Sequence, residues 1–136
     1  MNIGFLYAGQ GSQCVGMGKD FYEKYPEVAE TFDNVSIDFD VKECCFEGPI
    51  EKLSQTRYTQ PCMVTFAVAM TKLLKSKGIV PKMAAGLSLG EYSALYAAGV
   101  FDEKQVVDLV AYRGKSMEEA VTGRDTGMIA VMNLDR

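Results

Sequence analysis

Short apolar runs separated by longer segments of mixed polarity predict an α/β protein. Ile3–Ala8 is a continuous apolar run that ends at a glycine turn, which is typical of a buried parallel strand. Lys82–Ala85 is a second short apolar run, set off by Pro81, and predicts a second buried strand. The run Gly127–Leu134 predicts one more strand near the end of the sequence.

The segments between the strands have the spacing of helices. Phe21–Phe39 looks helical but interrupted, with Pro26 starting a second segment, and Ile50–Leu53 predicts a single helical turn. Pro61 suits the first position of a helix that runs to Lys77. Because this helix is apolar on most sides, we expect it to be central.

Two more helices are predicted in the last third of the sequence. Glu91–Ala98 is rich in small residues that allow close packing, and Gly99 ends it. Asp102 and Gln105 resemble a capping box that opens a helix over Glu103–Val121.

Arg113 interrupts the apolar stripe of this last helix. At about 100° per residue it falls in the middle of the stripe, which comprises Val106, Leu109, Val110, Met117 and Ala120. Burying an unpaired guanidinium is very costly, so Arg113 requires an anion or a water-filled cleft. It is either a structural partner of Asp or Glu, or a snorkelling side chain, or a bidentate clamp for a substrate carboxylate.

Composition places these elements in one globular domain and narrows the function. With 136 residues, of which 48% are hydrophobic and 24% charged, the chain has the size and composition of a single soluble domain. A net charge of −4 without a basic cluster argues against nucleic-acid binding. No apolar run approaches the roughly 18–20 residues of a membrane span, and the N-terminus lacks the regions of a signal peptide.

The thiols do not form a metal site by their spacing. The cysteines (Cys14, Cys44, Cys45 and Cys62) have no C-x-x-C spacing, and the chain contains no histidine. We therefore expect no metal site, and we interpret the cysteines as small buried hydrophobes or idle thiols in a reducing cytoplasm.

Ser88 is the strongest candidate for chemistry. It lies between two glycines in Gly86-Leu87-Ser88-Leu89-Gly90, between a predicted strand and a predicted helix. This setting is typical of the sharp turn that presents a nucleophilic serine, and the flanking glycines let neighbouring elements approach the turn. The alternative is a helix N-cap serine beside packing glycines. The usual general base, a histidine, is absent from the 136 residues.

A second glycine motif, Gly9–Gln13, follows the first predicted strand. It lacks the third glycine of a dinucleotide fingerprint and the Gly-Lys-Ser/Thr of a P-loop. Two interpretations remain: a plain glycine turn, or a loop that supplies a second backbone N–H to an oxyanion hole.

Four motifs taken in order resemble the malonyl-CoA:acyl carrier protein transacylases of fatty-acid synthesis. They are Gly9–Gln13, Thr59–Pro61, Gly86–Leu95 and Arg113–Lys115, and the resemblance runs the whole length of the chain. It implies part of an α/β-hydrolase-like large subdomain in residues 1–123. Residues 124–136 would then be the first strand of a ferredoxin-like small subdomain.

The resemblance also implies a role for individual residues. Ser88 would attack the malonyl thioester and pass the malonyl group to the phosphopantetheine thiol of acyl carrier protein. The backbone N–H groups of Gln10 and Leu89 would form the oxyanion hole. Arg113 would pair with the free carboxylate of malonyl-CoA, and Gln60 would line the same pocket. No cofactor is implied beyond the CoA thioester that serves as substrate.

Two departures from the family qualify these expectations. Leu87 occupies the position where the family usually has a histidine, and we expect only a local effect. The catalytic histidine of the family lies beyond Arg136, so we expect the chain to be inactive alone and to need a missing C-terminal part or self-association. Two alternatives remain open: an esterase or lipase that shares the serine turn, and a non-catalytic assembly piece.

A docking surface for acyl carrier protein is harder to identify. Acyl carrier proteins are acidic, and Lys72 and Lys75 share a helix face, with Lys77 and Lys82 nearby. A solvated helix face explains these lysines equally well.

Overall fold

The computed structural model describes residues 2–127, 129 and 131 and shows a mixed α/β fold with a small parallel sheet. Strand β1 (Gly4–Tyr7) pairs in parallel with strand β2 (Met83–Gly86). Both strands were predicted, within one or two residues at each end. The strand predicted over Gly127–Leu134 falls mainly outside the described residues, and the boundary between residues 1–123 and 124–136 stays a prediction.

Seven helices complete the described part of the chain. They are α1 (Lys19–Lys24), α2 (Pro26–Asp33), α3 (Val41–Phe46), α4 (Ile50–Leu53), α5 (Thr56–Ser76), α6 (Leu89–Ala97) and α7 (Glu103–Val121). The predicted limits of α4 and α7 are confirmed. Asp102 accepts a hydrogen bond from the Gln105 backbone N–H at 2.7 Å, and the Gln105 side chain accepts one from the Asp102 N–H at 3.0 Å, which confirms the capping box.

Helix α5 begins five residues earlier than predicted, so the expectation that Pro61 occupies its first position is wrong. Pro61 is a buried residue inside the helix. The first turn is held from outside, because the Arg57 backbone N–H donates to the Glu118 carboxylate on α7 at 3.1 Å. A carboxylate at a helix N-terminus also interacts favourably with the helix dipole, and this stabilises the turn that precedes Pro61.

The predicted helical segment Phe21–Phe39 is too long. Helix α2 ends at Asp33, and residues 34–40 are not helical. Helix α3 was not predicted, although its start has a readable signal. Asp40 precedes it, accepts a hydrogen bond from the Glu43 N–H at 3.0 Å, and stands three positions before that glutamate, as in a capping box.

The sheet is covered on one face only, so the expectation of two buried strands is wrong. Phe5 and Tyr7 are half-buried, whereas Leu6 is 86% exposed and Met83 is 67% exposed. Side chains alternate between the two faces of a strand, and within the described residues the helices pack against only one of these faces. This uncovered face leaves apolar side chains of both strands exposed.

The core consists of two groups of side chains that meet at α5. One lies between α5 and the segments that precede it, and includes Val28, Phe32, Cys44, Cys45, Leu53 and Cys62. The other lies among α5, α6 and α7, and includes Val64, Val68, Leu89, Val106 and Val110. Helix α5 is therefore central, as predicted.

Three of the four cysteines are buried, and all four are free thiols. Within the described residues, no group of three or more Cys, Asp or Glu side chains is arranged to hold a metal ion. Over the same part of the chain, no helix has both the length and the apolar character needed to span a membrane.

Candidate active site

Ser88 occupies a strained turn between β2 and α6. Its backbone has φ 51° and ψ −102°, and it is the only non-glycine residue with positive φ in the described part of the chain. Such a conformation costs about 1–3 kcal/mol and is concentrated at functional sites. Ser88 occupies the N-cap position of α6, but it is exposed and its side chain makes no capping hydrogen bond, so the structure does not show the side-chain capping role of the alternative. The turn presents the hydroxyl to solvent.

The two glycines that flank the turn are required by close backbone approaches. A Cβ at Gly86 would collide with the backbone of Gly90, and a Cβ at Gly90 would collide with the carbonyl oxygen of Tyr7. Helix α6 can therefore start directly against the end of the sheet. This confirms that the glycines allow neighbouring elements to approach the serine turn.

The predicted oxyanion-hole residues lie on two neighbouring segments, the loop after β1 and the start of α6. A Cβ at Gly9 would lie 2.8 Å from the carbonyl oxygen of Leu87, so the loop after β1 packs against the residue that precedes Ser88. Leu89 is the first residue of α6, and within the described residues neither its N–H nor that of Gln10 donates a hydrogen bond. Free N–H groups at a helix start favour a negative charge.

The loop that carries Gln10 is also tied to α5. The Gln10 side-chain amide donates to the Thr56 hydroxyl at 3.1 Å. Helix α7 approaches the same turn of α5, since a Cβ at Gly114 would lie 2.8 Å from the Thr56 carbonyl oxygen. Thr56 therefore lies between the loop of Gln10 and the helix that carries Arg113.

Arg113 is partly buried and contacts two other helices. Its Nη1 donates to the Gln60 side-chain oxygen at 2.8 Å, and its guanidinium carbon lies 5.3 Å from the centre of the Tyr92 ring. Tyr92 is four residues after Ser88, about one helical turn or 6 Å along α6. Across residues 2–127, no carboxylate lies within ion-pair distance of Arg113. Among these residues, the structural Asp or Glu partner considered above is not found.

The apolar stripe of α7 is rotated from the predicted one. The buried residues of this helix are Val106, Val107, Val110 and Gly114, whereas Leu109, Met117 and Ala120 are exposed. The prediction that Leu109, Met117 and Ala120 face the core is therefore wrong. Arg113 lies beside the buried face and not at its centre, because the close approach of α5 is made at Gly114.

Gln60 is fully buried beside Arg113. Its side-chain oxygen accepts from Arg113, and its side-chain nitrogen donates to the Met117 sulfur at 3.2 Å. Tyr92 and Met117 were not identified as site residues from the sequence. Tyr92 lies four residues after Ser88 and Met117 four residues after Arg113, and this spacing is the only sequence signal that could have found them.

None of the 136 residues is a histidine, the residue that most often serves as the general base for a serine nucleophile. The carboxylates nearest in sequence to Ser88 are Glu91 and Asp102. Glu91 is exposed in the first turn of α6, and Asp102 is engaged in capping α7. Leu87, which precedes Ser88, is 75% exposed and therefore contributes little to the packing of the turn.

Two of the four lysines considered for carrier-protein docking form ion pairs with carboxylates. Lys72 pairs with Glu30 at 2.9 Å and with Glu103 at 3.1 Å. Lys77 pairs with Glu27 at 3.7 Å, and Lys75 donates to a backbone carbonyl. These contacts favour the interpretation of a solvated helix face.

Neither Ser88 nor Arg113 lines the two concave surfaces described next, although the first of them includes Leu89 and Ser93 beside the serine turn. A groove of about 580 Å³ lies between β1 and α5, lined mainly by apolar side chains. A second cavity of about 600 Å³ lies beside the start of α7. Ser88 itself is exposed.

Comparison with known proteins gives one consistent family. Residues 4–135 match the acyl transferase domain family. The malonyl CoA-acyl carrier protein transacylase of Bacillus subtilis (strain 168) is 42% identical over 135 residues, which are 98% of this chain but 43% of that protein. The chain thus spans less than half the length of this relative.

Solved structures give the same result for the fold. The crystal structure of MCAT from Streptococcus pneumoniae aligns with a TM-score of 0.82 and 52% identity, over 86% of this chain and 39% of that one. A malonyl-transacylase solved in complex with a type II PKS acyl-carrier protein aligns with a TM-score of 0.83 and 42% identity, over 89% of this chain and 40% of that one. The chain is homologous to malonyl CoA-acyl carrier protein transacylases over about two fifths of their length, and it belongs to the acyl transferase domain family.

Proposed function

We propose that this chain carries the nucleophile, the oxyanion hole and the carboxylate-binding arginine of a malonyl-CoA:acyl carrier protein transacylase of fatty-acid synthesis. The observation that carries the proposal is Arg113. Its guanidinium is held by Gln60 and Tyr92, yet has no carboxylate partner among the described residues. A planar donor of this kind is suited to bidentate binding of a carboxylate, which malonyl-CoA has and acetyl-CoA lacks.

The reaction begins at Ser88. Its oxygen attacks the thioester carbon of malonyl-CoA while its proton passes to a general base. The carbonyl oxygen becomes an oxyanion, which the N–H groups of Gln10 and Leu89 stabilise. The tetrahedral intermediate then expels CoA, which takes up the proton as a thiol, and the malonyl group remains as an ester on Ser88. Arg113 holds the free carboxylate of the malonyl group throughout.

The second half of the reaction, transfer from Ser88 to the carrier protein, repeats these steps in reverse. The phosphopantetheine thiol of an acyl carrier protein gives its proton to the base and attacks the ester carbon. The Ser88 oxygen leaves and is reprotonated, and the malonyl group is transferred as a thioester. The base must come from outside these 136 residues, because the chain has no histidine. Loss of one triad member lowers kcat by about 10⁴–10⁶-fold in serine hydrolases, so we expect the chain alone to be inactive.

The test uses a chimera in which this chain replaces the matching 135 residues of the Bacillus subtilis relative. The chimera, called here the completed protein, is incubated with labelled malonyl-CoA and acyl carrier protein. We expect label on the carrier protein, and none with Ser88→Ala. A folded chimera that binds CoA thioesters but transfers no malonyl group would refute the proposal, with the unmodified relative as the positive control.

The uncovered face of the sheet is the one observation that favours the non-catalytic assembly piece. Leu6 and Met83 lie exposed on this face. An esterase has less support, because hydrolysis of neutral esters gives Arg113 no role.

A further inference from the structure

The orientation of the Gln60 amide is determined by its two neighbours. An arginine has only N–H donors, so the Gln60 oxygen must face Arg113, and the amide nitrogen must face the other way. There it donates to the Met117 sulfur at 3.2 Å. A thioether is a weak acceptor, and within the described residues it is the only side chain that receives this amide N–H. Met117 therefore keeps the amide oxygen turned toward Arg113.

Tyr92 restrains the same guanidinium from a second direction. Its ring centre lies 5.3 Å from the guanidinium carbon, which is within the range of a cation–π contact. The ring itself is held, because Tyr92 packs against the core between α5, α6 and α7. The guanidinium is thus restrained by an aromatic face from α6 and by an amide oxygen from α5.

These two restraints leave most of the donors of Arg113 available. A guanidinium has five N–H groups, and one nitrogen, Nη1, is engaged with Gln60. The side chain is partly exposed, and the described residues offer it no carboxylate. A restrained guanidinium loses less conformational entropy when it binds a ligand, so it binds a carboxylate more tightly than a free one.

We propose that Tyr92 and Met117 are positioning residues for Arg113, and that together they determine the selectivity for acyl groups that end in a carboxylate. Tyr92 acts directly on the guanidinium, and Met117 acts through the amide of Gln60. This inference rests on the proposed function, because selectivity can be measured only in a protein that transfers acyl groups.

The experiment compares kcat and KM for malonyl-CoA and acetyl-CoA in the completed protein. Acetyl-CoA has no free carboxylate, so its transfer reports on the serine turn without Arg113. Met117→Leu removes the sulfur acceptor but keeps an apolar side chain of similar size. We expect kcat/KM for malonyl-CoA to fall about fivefold, mainly through KM, with acetyl transfer unchanged. Met117→Gln, which restores an acceptor, should recover selectivity.

Tyr92→Leu removes the aromatic face, and Tyr92→Phe keeps it. We expect the ratio of kcat/KM for malonyl-CoA to kcat/KM for acetyl-CoA to fall about threefold to tenfold in the leucine variant. The phenylalanine variant should retain the ratio of the parent protein. Tyr112→Leu is the matched control, because Tyr112 is a 73% exposed tyrosine on α7 and, among the described residues, Tyr92 is the ring that makes the cation–π contact with Arg113. The Tyr112→Leu variant should change neither malonyl transfer nor acetyl transfer.

The outcomes separate the inference from the proposed function. If the parent protein is active, and Met117→Leu and Tyr92→Leu lower malonyl and acetyl transfer equally or change neither, the inference alone is overturned. A parent that transfers no malonyl group overturns the proposed function and the inference with it. Should Tyr92→Leu fail to fold, Met117→Leu decides the result, because Met117 is 44% exposed and its replacement leaves the core intact.

Discussion

Arg113 donates a hydrogen bond to the fully buried side-chain oxygen of Gln60, with 2.8 Å between the two atoms. This contact joins α7 to the first turn and a half of α5, the part of the helix in which Gln60 and Thr56 lie. It places a cation beside a buried polar group without neutralising its charge. The pair is therefore suited to hold an anionic ligand, which is the basis of the proposed malonyl specificity.

The first prediction concerns Arg113→Ala in the completed protein. Removing two charge-assisted hydrogen bonds to the malonyl carboxylate should lower kcat/KM for malonyl-CoA by about 100-fold, equivalent to about 3 kcal/mol. Arg113→Lys keeps the charge but not the planar fork, so it should recover only part of this loss. The measurement is malonyl transfer to acyl carrier protein at several malonyl-CoA concentrations.

Hydrolysis of a neutral ester is the control for this experiment. The arginine plays no part in ester binding, so turnover of a neutral ester by the Arg113→Ala protein should match that of its parent. Unchanged malonyl transfer in Arg113→Ala would contradict the assigned role and favour the esterase alternative.

The second prediction concerns the glycines of the serine turn. Gly86→Ala places a Cβ in collision with the backbone of Gly90, and neither backbone can move without separating α6 from the sheet. We expect a loss of about 3 kcal/mol or more in the free energy of unfolding, measured by urea denaturation of the chain. Gly127→Ala is the matched control, because no atom lies within 4 Å of a Cβ there and its φ is not positive. A Gly86→Ala protein as stable as the control would contradict the described turn.

The sequence predicts the elements whose determinants are local. Asp102 and Gln105 cap α7 through their own side chains, so both the start of this helix and its length were readable. The serine turn was equally readable, because Gly86 and Gly90 flank Ser88 in the sequence. Gly86 is required by a backbone approach within the same turn, whereas Gly90 is required by the distant backbone of Tyr7.

The elements that were missed depend on contacts between distant segments. The first turn of α5 is held by Glu118, which is 61 residues from Arg57, and no local pattern around Pro61 reveals it. Tyr92 and Met117 look like ordinary core residues in the sequence. Their contacts with Arg113 and Gln60 appear only when α5, α6 and α7 are packed together.

The third prediction concerns thiol accessibility. The pKa of the Cys44 thiol is raised above its usual range by a hydrogen bond to Cys62 and by burial, so the reactive thiolate of Cys44 is disfavoured. Cys45 and Cys62 are also fully buried, whereas Cys14 is exposed. Iodoacetamide should therefore label Cys14 alone in the native chain and all four cysteines in denaturant, as measured by mass spectrometry. Rapid native labelling of Cys44 or Cys62 would contradict the described core.

The fourth prediction concerns the uncovered face of the sheet. Because Leu6 and Met83 expose apolar surface there, we expect the isolated chain to associate as its concentration rises. Changing both residues to serine should weaken association by about tenfold or more, since a buried apolar side chain contributes about 1.5–3 kcal/mol. Val100→Ser, at a residue that is 57% exposed outside the sheet, is the control. Sedimentation that shows a compact monomer at every concentration would contradict this expectation.

The measurement that tests the central claim most directly is the detection of an acyl-enzyme on Ser88. The completed protein is mixed with malonyl-CoA in the absence of acyl carrier protein, quenched with acid and digested for mass spectrometry. We predict a malonyl ester on the peptide that contains Ser88, its loss on addition of acyl carrier protein, and no ester when Arg113→Ala protein is treated for the same short time. A malonyl group on another residue, or rapid transfer to acyl carrier protein by a Ser88→Ala protein, would contradict the account.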